Sequence, residues 1–386
     1  MASRAIGFVP DRLKQSREAR GFSYVMLSDI VGVSAAAISQ YEKGVNIPSP
    51  DVLERLAGAL NVPVKLMFWP NIARVNNNVF YRSMSAPVKP ARRRAEKRFE
   101  WFKEIVAYLD GYITFPEMNI PTFNKLPKDP LKITNQMIED AAEELRDYWN
   151  LGSGPISNMT GLVEANGVLV THGRIDSEHL DAFSEFDKDN RPYMFLSSDK
   201  NVLVRTRFDV GHELFHLLAH RHLNNSITND KSKNRVIETQ AHRFSSAFQM
   251  PSKSFTDELW GVSIDSFRSM KSRWKVSIAS MVFRAEQLKL INEQEARRLR
   301  ISISRRGWRK GEPLDDIPVE KPKTIANSFK LLVSEKVKTP EQILSDLALP
   351  KKDVIELAGL ESGFFAGDGA DGPKLKAQDN VVNFRR

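Results

Sequence analysis

Two histidines four residues apart form the segment of this sequence with the clearest capacity for chemistry. His212 and His216 stand in the pattern His-Glu-x-x-His. Residues i and i+4 share one face of a helix, so both imidazoles could reach one metal ion. Glu213, next to that face, could accept a proton from water at the metal and later pass it to a leaving amine. The pattern predicts a zinc site, because zinc binds imidazole and carboxylate ligands and can keep one position open.

A third ligand is needed, because a five-residue pattern also occurs by chance. Glu238, which opens a second predicted helix, is the better candidate. His220 lies one turn beyond His216, but three ligands on one straight helix cannot surround an ion, so we expect His220 at the surface or behind the ligands. Two histidines from one helix and a glutamate from the next form a known zinc ligand set. The alternatives are a metal site without activity and a buried histidine pair without metal.

Two helices must position these residues. Hydrophobic periodicity predicts them near residues 207–221 and 235–250, with Asp209 as a candidate N-cap of the first and Pro251 ending the second. Residues 134–149 form a further amphipathic pattern, and residues 167–171 and 193–196 are short strand candidates. These patterns indicate a mainly α (α+β) chain that contains a small β-sheet.

Helical patterns also dominate the C-terminal third. Residues 264–300 predict two or three helices, and residues 324–363 are again helical. Between them, residues 301–304 and the basic turn that follows could form a hairpin like the wing of a winged helix; a solvated basic face is an equal alternative. From Gly367 the composition is rich in Gly, Asp and Lys, which is typical of a disordered tail.

The composition excludes several classes of function. The 386 residues include no cysteine, which excludes disulfides, iron–sulfur clusters and thiol nucleophiles. No apolar stretch approaches the ~20 residues that a membrane helix needs. The N-terminus lacks an apolar core of signal-peptide length, so we expect a cytoplasmic protein with no membrane partner. The 57 basic and 48 acidic residues give a formal charge of +9, which permits nucleic-acid binding without requiring it.

Start and stop signals divide the first 68 residues into short helices. Ser23 and Ser34 are candidate N-caps, Gly21 and Gly44 are candidate helix ends, and Gly32 permits a tight turn. A helix pair of this kind places its second helix in the major groove of DNA. The apolar residues expected on inward faces are Leu27, Ile30, Val31, Val33 and Ile38.

Residues 11–68 resemble the XRE family of repressor-type helix-turn-helix domains. The matching segments are Gly32-Val33-Ser34, Ile38-Ser39-Gln40-Tyr41-Glu42-Lys43-Gly44, Pro48-Ser49-Pro50 and Leu53-Glu54-Arg55-Leu56-Ala57. The resemblance implies duplex DNA as a partner and a homodimer on paired half-sites. It also implies that five residues lie at or near DNA: Ala35, Ala36, Ser39, Gln40 and Lys43.

Two departures from that family predict weak direct readout. Tyr24 stands where the family often has a DNA-contacting Gln, and the recognition helix opens with three alanines, which offer no base hydrogen bonds. Through Phe68, eight basic and six acidic residues leave a net charge of only +2. The alternative is a helical protein-interaction module. The basic run at residues 92–98 is expected to be a solvated helix face rather than a DNA contact.

Residues 134–312 resemble the ImmA/IrrE family of zinc metalloendopeptidases. The matching segments are residues 149–155 (Trp-Asn-Leu-Gly-Ser-Gly-Pro), 207–208 and 211–216 (Arg-Phe, then Gly-His-Glu-Leu-Phe-His), Glu238 with Ala241, Phe244, Met250-Pro251, residues 273–277 and residues 305–308. The resemblance implies that His212, His216 and Glu238 are zinc ligands and that Glu213 is catalytic. Two positions depart from the family: Phe215 replaces the usual Gly, and His242 replaces the usual Asn or Asp. His242 could orient a ligand from behind or contact substrate.

Together these patterns predict six segments. They are a five-helix helix-turn-helix domain over 8–70, a basic helical linker over 71–130, a helical zincin-like peptidase domain over 131–260, a winged-helix-like extension over 261–312, a C-terminal helical extension over 320–366 and a disordered tail over 367–386.

The expected function is that of a DNA-binding regulator with zinc-dependent endopeptidase activity. By family resemblance it cleaves a regulatory protein, a transcriptional repressor in the first instance, and so relieves repression. Two alternatives remain open. The peptidase-like body could be an inactive sensor or dimerisation module of a transcription factor, or the chain could be an antitoxin-like autoregulator.

Overall fold

The computed structural model describes residues 5–70, 80–81, 89–123, 125–177, 180–221, 223, 230–309 and 311–366. The tail expected to be disordered, 367–386, lies outside the described residues. Helices dominate and one small sheet accompanies them, so the mainly α (α+β) class is confirmed. Among the described helices, none combines the length and the apolar composition that a bilayer crossing requires.

The N-terminal helices begin and end where the sequence signals predicted. They are α1 (Pro10–Arg20), α2 (Tyr24–Val31), α3 (Ala35–Glu42) and α4 (Pro50–Leu60), followed by a 3₁₀ turn at Val64–Phe68 in place of a fifth α-helix. Ser23, Ser34 and Ser49 each cap a helix by accepting a backbone hydrogen bond. Gly32 turns the chain between α2 and α3 with φ of 72°. Ile30 is a correction: it is 58% exposed, not inward-facing.

Residues 71–130 were expected to form a linker, but their main helix belongs to the core. Helix α5 (Lys89–Leu109) packs along α1. The guanidinium of Arg12, fully buried, donates to both carboxylate oxygens of Glu104 at 2.6 and 2.8 Å. The expectation of a solvated basic face at residues 92–98 is also wrong for Arg98, which is buried and donates to Glu356 at 2.7 Å.

A four-stranded sheet forms the centre of the molecule. Its strands are β1 (Phe80–Tyr81), β2 (Leu169–Gly173), β3 (Ala182–Phe186) and β4 (Pro192–Ser197), in the order β1-β3-β4-β2. Strand β4 is parallel to β2 and antiparallel to β3, and β3 is antiparallel to β1. The sequence analysis predicted β2 and β4 but missed β1 and β3.

The two faces of the sheet serve two different cores, because alternate residues of a strand point to opposite faces. Phe183 and Phe195 face α5, where the ring of Phe99 meets both edge-on at 5.0 and 5.9 Å. Val170 and Met194 face a second core with three helices: α6 (Asn135–Tyr148), α8 (Leu203–Ala219) and α9 (Lys231–Gln249). The short helix α7 (Met159–Ala165) leads into β2.

Helix α8 begins one turn earlier than the sequence signals indicated. It starts at Leu203, with Val202 as its N-cap, so Asp209 lies inside the helix and does not cap it. The early start follows from apolar packing: Leu203 is buried, and Val204 nearly so. As a result the metal-binding pattern lies in the middle of a 17-residue helix, where the backbone is held on both sides.

Four helices build a third core on the C-terminal side of α9. They are α10 (Ser252–Glu258), α11 (Ile264–Trp274), α12 (Ile278–Gln287) and α13 (Glu293–Arg305). The winged-helix hairpin expected at residues 301–304 is wrong, since these residues form the last turns of α13. Asn292 and Glu295 form a capping box at the start of that helix, which favours helix over strand.

The C-terminal helices return to the N-terminal core. Helices α14 (Thr324–Ser334), α15 (Pro340–Leu347) and α16 (Lys351–Ala358) share one apolar cluster with α1–α5 and the α5 face of the sheet. Arg20 on α1 pairs with Asp353 at 2.8 Å, and the Nζ of Lys65 donates to the carbonyl of Ser345 at 2.6 Å. The helix-turn-helix segment is therefore joined to the rest of the molecule by packing as well as by the chain.

Candidate metal centre

Helix α8 presents both histidines of the pattern on one buried face. The Nε2 atoms of His212 and His216 lie 3.0 Å apart, so the two rings converge on one point. Both side chains are almost fully buried. Burial and the neighbouring His212 lower the pKa of His216 well below its ordinary value, which keeps the ring neutral and able to bind a metal.

Helix α9 brings Glu238 to the same point. Its Oε2 lies 3.4 Å from His212 Nε2, and its Oε1 lies 3.7 Å from His216 Nε2. The two helices can approach this closely because residue 211 is glycine. A Cβ at that position would lie 2.6 Å from Ser245 Oγ and 3.2 Å from Ser245 Cα. Gly211 therefore sets the distance between the histidine pair and the glutamate.

His220 is buried behind His216, so the expectation of a surface position is wrong and a position behind the ligands is correct. The Nδ1 atoms of the two rings lie 2.9 Å apart, and His220 Nε2 lies 3.1 Å from Gln240 Oε1. Gln240 in turn donates to the carbonyl of Pro130 at 2.7 Å. Burial lowers the pKa of His220 to about 4, so it is neutral near pH 7.

One assignment of protons satisfies every member of this chain. If His216 donates from Nδ1, His220 accepts at Nδ1 and donates from Nε2 to the Gln240 carbonyl oxygen. The amide of Gln240 must then donate, as it does, to the backbone. This arrangement leaves His216 Nε2 with its lone pair directed at the point shared with His212 and Glu238.

Glu213 is buried beside the histidine pair, and a residue of the sheet forms a hydrogen bond with its carboxylate. Ser184, in the middle of β3, donates its hydroxyl proton to Glu213 Oε2 at 2.7 Å. The contact fixes the direction of the carboxylate next to the convergent rings. Sequence reasoning missed Ser184, and it also missed Gln240. No local pattern links Ser184 to Glu213, because the contact depends on how β3 packs against α8.

The two family departures lie in different places. Phe215 points into the core, where its ring stacks on Phe244 at 4.7 Å and meets His220 edge-on at 5.1 Å. It is buried and packs against the hydrogen-bonded histidine from the side of the core. His242 lies at the site itself: its ring centroid is 4.9 Å from that of His212, and its ligand atoms lie within 4.8 Å of those of His212 and Glu238.

The donor set fits a zinc ion. Two imidazole nitrogens and a carboxylate from two helices converge, and burial keeps the His216 ring neutral by lowering its pKa. Nitrogen and oxygen donors in this number suit Zn²⁺, and a hydrogen-bonded partner behind a ligating histidine is typical of such sites. His212, His216 and Glu238 could hold the ion, and His242 could add a fourth ligand.

The expected DNA-contacting residues lie together on one surface of the N-terminal domain. Gln40 and Lys43 are exposed on α3 and just after it, Ala36 is exposed, and Ala35 and Ser39 are half-buried. Gln40 Oε1 accepts a hydrogen bond from Asn46 at 2.7 Å, so its side chain is oriented. Five apolar residues of α2 and of the segment after α3 are also exposed: Val25, Met26, Ile30, Val45 and Ile47.

Profiles of two known families match separate parts of the chain. A profile described as helix-turn-helix matches residues 13–66, and one described as an IrrE N-terminal-like domain matches residues 163–286. An uncharacterized HTH-type transcriptional regulator, found in two strains of Mycobacterium tuberculosis, is 30% identical over 118 residues, which is 31% of this chain and 79% of that protein. The chain therefore belongs to the XRE-type helix-turn-helix transcriptional regulators and joins that domain to an IrrE N-terminal-like domain of the ImmA/IrrE peptidase family.

Proposed function

We propose that this regulator is a zinc-dependent endopeptidase that cleaves a regulatory protein, with a transcriptional repressor as the expected substrate. The observation that carries the proposal is the position of Glu213. Its carboxylate is held by Ser184 at 2.7 Å, directly beside a pair of convergent imidazoles and Glu238. A site that only stored a metal would not need a buried, oriented acid next to the ligands.

Each residue has a distinct task in this mechanism. His212, His216 and Glu238 would hold a zinc ion, which as a Lewis acid polarises a peptide carbonyl and lowers the pKa of water. Glu213 would accept the proton of the attacking water and deliver it to the departing amine, so that the peptide C–N bond breaks without a free charge on nitrogen. Ser184 keeps the carboxylate in line for both transfers.

The N-terminal domain would bring this activity to duplex DNA. Gln40, Lys43 and Ser39 supply the polar contacts, and Ala35 and Ala36 could meet thymine methyl groups. The exposed apolar residues and the small net charge of the domain favour weak binding. A homodimer and a cytoplasmic location stay predictions.

The decisive variant for the peptidase is Glu213→Gln. Gln is almost isosteric, so the helix and both imidazoles should stay in place and the zinc content should be unchanged. Gln cannot accept the water proton, and loss of a general base costs about 10²–10⁴-fold in rate. We expect the regulatory phenotype in a cell-based reporter to match that of a chain lacking residues 134–312. A wild-type phenotype would exclude proteolysis as the function.

A second candidate function rests on His242. As a fourth protein ligand it would close the site, and closed zinc sites are structural. The body would then be a sensor or dimerisation module. The His242→Asn variant separates the two functions. A large loss of zinc affinity would indicate a closed site, whereas unchanged affinity with retained peptide cleavage would support the open, catalytic one.

A further inference from the structure

The outer edge of β3 is covered by a short piece of the chain's own backbone. Phe80 pairs with Ser184 and Tyr81 pairs with Phe183, in antiparallel register. These two residues form β1, at the end of the sheet order β1-β3-β4-β2. They come from the stretch of sequence between the helix-turn-helix helices and α5.

This edge is the one that borders the candidate catalytic acid. Ser184, the partner of Phe80, is also the residue that donates to Glu213. Helix α8, which carries both histidines, packs against β3 and β4. The backbone of β1 therefore runs along the strand that orients Glu213.

An exposed strand edge offers unpaired N–H and C=O groups, and an extended peptide can add to it as a further strand. A peptide bond that is to be hydrolysed must also be held extended and immobile close to the catalytic groups. Only one chain can pair with a given edge at one time. Whatever pairs with β3 beside Glu213 therefore competes with every other peptide for that position.

We propose that the outer edge of β3 is a strand-addition site for extended peptides and that the Phe80–Tyr81 segment occupies it in cis. An external peptide must displace this segment before it can lie beside Glu213. The ligand class is an unfolded segment with free backbone groups, and the chain's own sequence around residues 80–81 is its first member. Peptide binding at this edge is inferred from the observed strand pairing. The inference that the Phe80–Tyr81 segment limits cleavage rests in addition on the proposed function.

The number of paired residues gives the order of magnitude by which the Phe80–Tyr81 segment should weaken the binding of an external peptide. A net hydrogen bond changes an equilibrium constant by a factor of roughly 2–13. The factors of two such bonds multiply to between roughly 4 and 170, and we take about tenfold, toward the lower end of that range, as the advantage of the internal segment. That is large enough to measure and small enough for a substrate to overcome.

The test uses the full chain carrying Glu213→Gln, so that a bound peptide stays intact. The probe is a fluorescein-labelled synthetic peptide of residues 73–86, followed by fluorescence anisotropy. Replacing Phe80 and Tyr81 together by Pro removes both N–H donors and prevents pairing. We expect the peptide to bind about tenfold more tightly to this variant. Asn76→Pro, which adds a proline four residues before Phe80 in the sequence, is the matched control and should leave Kd unchanged. Equal Kd values in the two proline variants would overturn the proposal.

A second measurement protects the test against misfolding. Phe80→Gly with Tyr81→Gly weakens the strand without introducing proline. Amide hydrogen exchange over residues 182–186 should be faster in this variant than in the parent chain and should slow again when the peptide is added. Unchanged exchange in the variant would also overturn the proposal.

The outcomes distinguish this proposal from the proposed function. With Glu213 intact and zinc added, a peptide that binds but is never cut would leave the strand-addition site standing and refute the peptidase. A peptide that is cut at equal rates with and without β1 would support the peptidase and overturn the competition.

Discussion

The neutral state of His220 decides what it can do for the metal centre. A charged ring would have no lone pair and could only donate, whereas the neutral ring can accept from His216 and donate to Gln240. Burial supplies this state by lowering the pKa of His220 to about 4. The direction of the whole hydrogen-bond chain, from the backbone of Pro130 to His216, follows from that single effect.

His220→Phe should therefore weaken zinc binding while the fold survives. The ring volume is kept, but His216 loses its acceptor, and loss of such a partner typically costs ~10–100-fold in metal affinity. Competition with a chelator would measure the loss. His172→Phe is the matched control, since His172 lies on β2, which β4 separates from β3 in the sheet. Similar zinc affinity in both variants would remove His220 from the metal centre.

Gln40 is the residue most suited to read a base. Its side chain is exposed and oriented by Asn46 at 2.7 Å, and Gln can form paired hydrogen bonds with adenine. Gln40→Ala should cost ~1–3 kcal/mol on a specific site and much less on bulk DNA. We expect Lys43 to contact a phosphate, so Lys43→Ala should weaken binding to both kinds of DNA alike and reduce its salt dependence. Equal losses for Gln40→Ala would make it a positioning residue. Electrophoretic mobility shifts at two salt concentrations give the values.

For individual residues, the sequence predicted those that helical spacing brings together on α8 and missed those that other elements bring to the site. His212, Glu213 and His216 follow from helical spacing alone, and Glu238 from the next helix. Ser184 and Gln240 could not be predicted, because their contacts depend on how a strand and a second helix pack on α8. His220 was assigned by geometry to two possible places, and only packing decides between them.

At the scale of elements, the contact between α8 and α9 determines the site. Gly211 and Ser245 are the point of closest approach, and the hydroxyl of Ser245 donates to the carbonyl of Phe208 at 2.7 Å. Rotation of the Ser245 side chain would relieve the 2.6 Å contact with Oγ, but Ser245 Cα and Cβ would still lie 3.2 Å from a new Cβ. The two helices would therefore have to separate by a few tenths of an ångström.

Gly211→Ala should consequently lower both stability and zinc affinity. Overpacking of this kind costs ~1–3 kcal/mol, and a wider helix spacing would draw Glu238 away from the histidines. Gly58→Ala in α4 is a matched control, since no atom lies within 4 Å of a Cβ there. That control should gain ~0.5–1 kcal/mol from the higher helix propensity of Ala. Urea melts and zinc titrations would compare them; equal behaviour of the two variants would show that the helix spacing is not tight.

Helix boundaries were predictable because capping is local. Ser23, Ser34 and Gly32 act where the sequence placed them. The wing at residues 301–304 failed for the opposite reason: alternating Ile and Ser suits a strand, but a capping box upstream and burial of Ile303 extend α13 through this segment. Strand β1 pairs with β3, far away in the chain, and no local pattern contains that pairing. Strand β3 pairs with β4 across a short connection, so its pairing partner was local and the sequence analysis missed it.

At the scale of the whole molecule, the helix-turn-helix segment is packed against the rest of the chain and is not an independent domain on a linker. Its helices share an apolar cluster with α5, the sheet and α14–α16. The buried pair of Arg12 and Glu104, and the pair of Arg20 and Asp353, cross the same boundary. Domain limits drawn from the sequence separated parts that are packed together, because sequence patterns locate helices but not the partners against which their apolar faces lie.

Because of this shared core, the orientation of the helix-turn-helix helices fixes the orientation of the rest of the molecule relative to bound DNA. DNA turns once in ~10–10.5 base pairs, so a body that cannot swing about its reader would face one side of the duplex only. The absence of cysteine makes this measurable: Trp260→Cys, at a side chain 95% exposed, creates a unique labelling site. On a duplex selected for binding, energy transfer from that site to dyes at successive bases should rise and fall with the helical turn. A smooth decline would mean a swinging attachment. If the energy transfer oscillates, a neighbouring protein on the same DNA can be reached only when it lies on the same side of the duplex. Half a helical turn of extra spacing would then place that protein on the opposite side and out of reach.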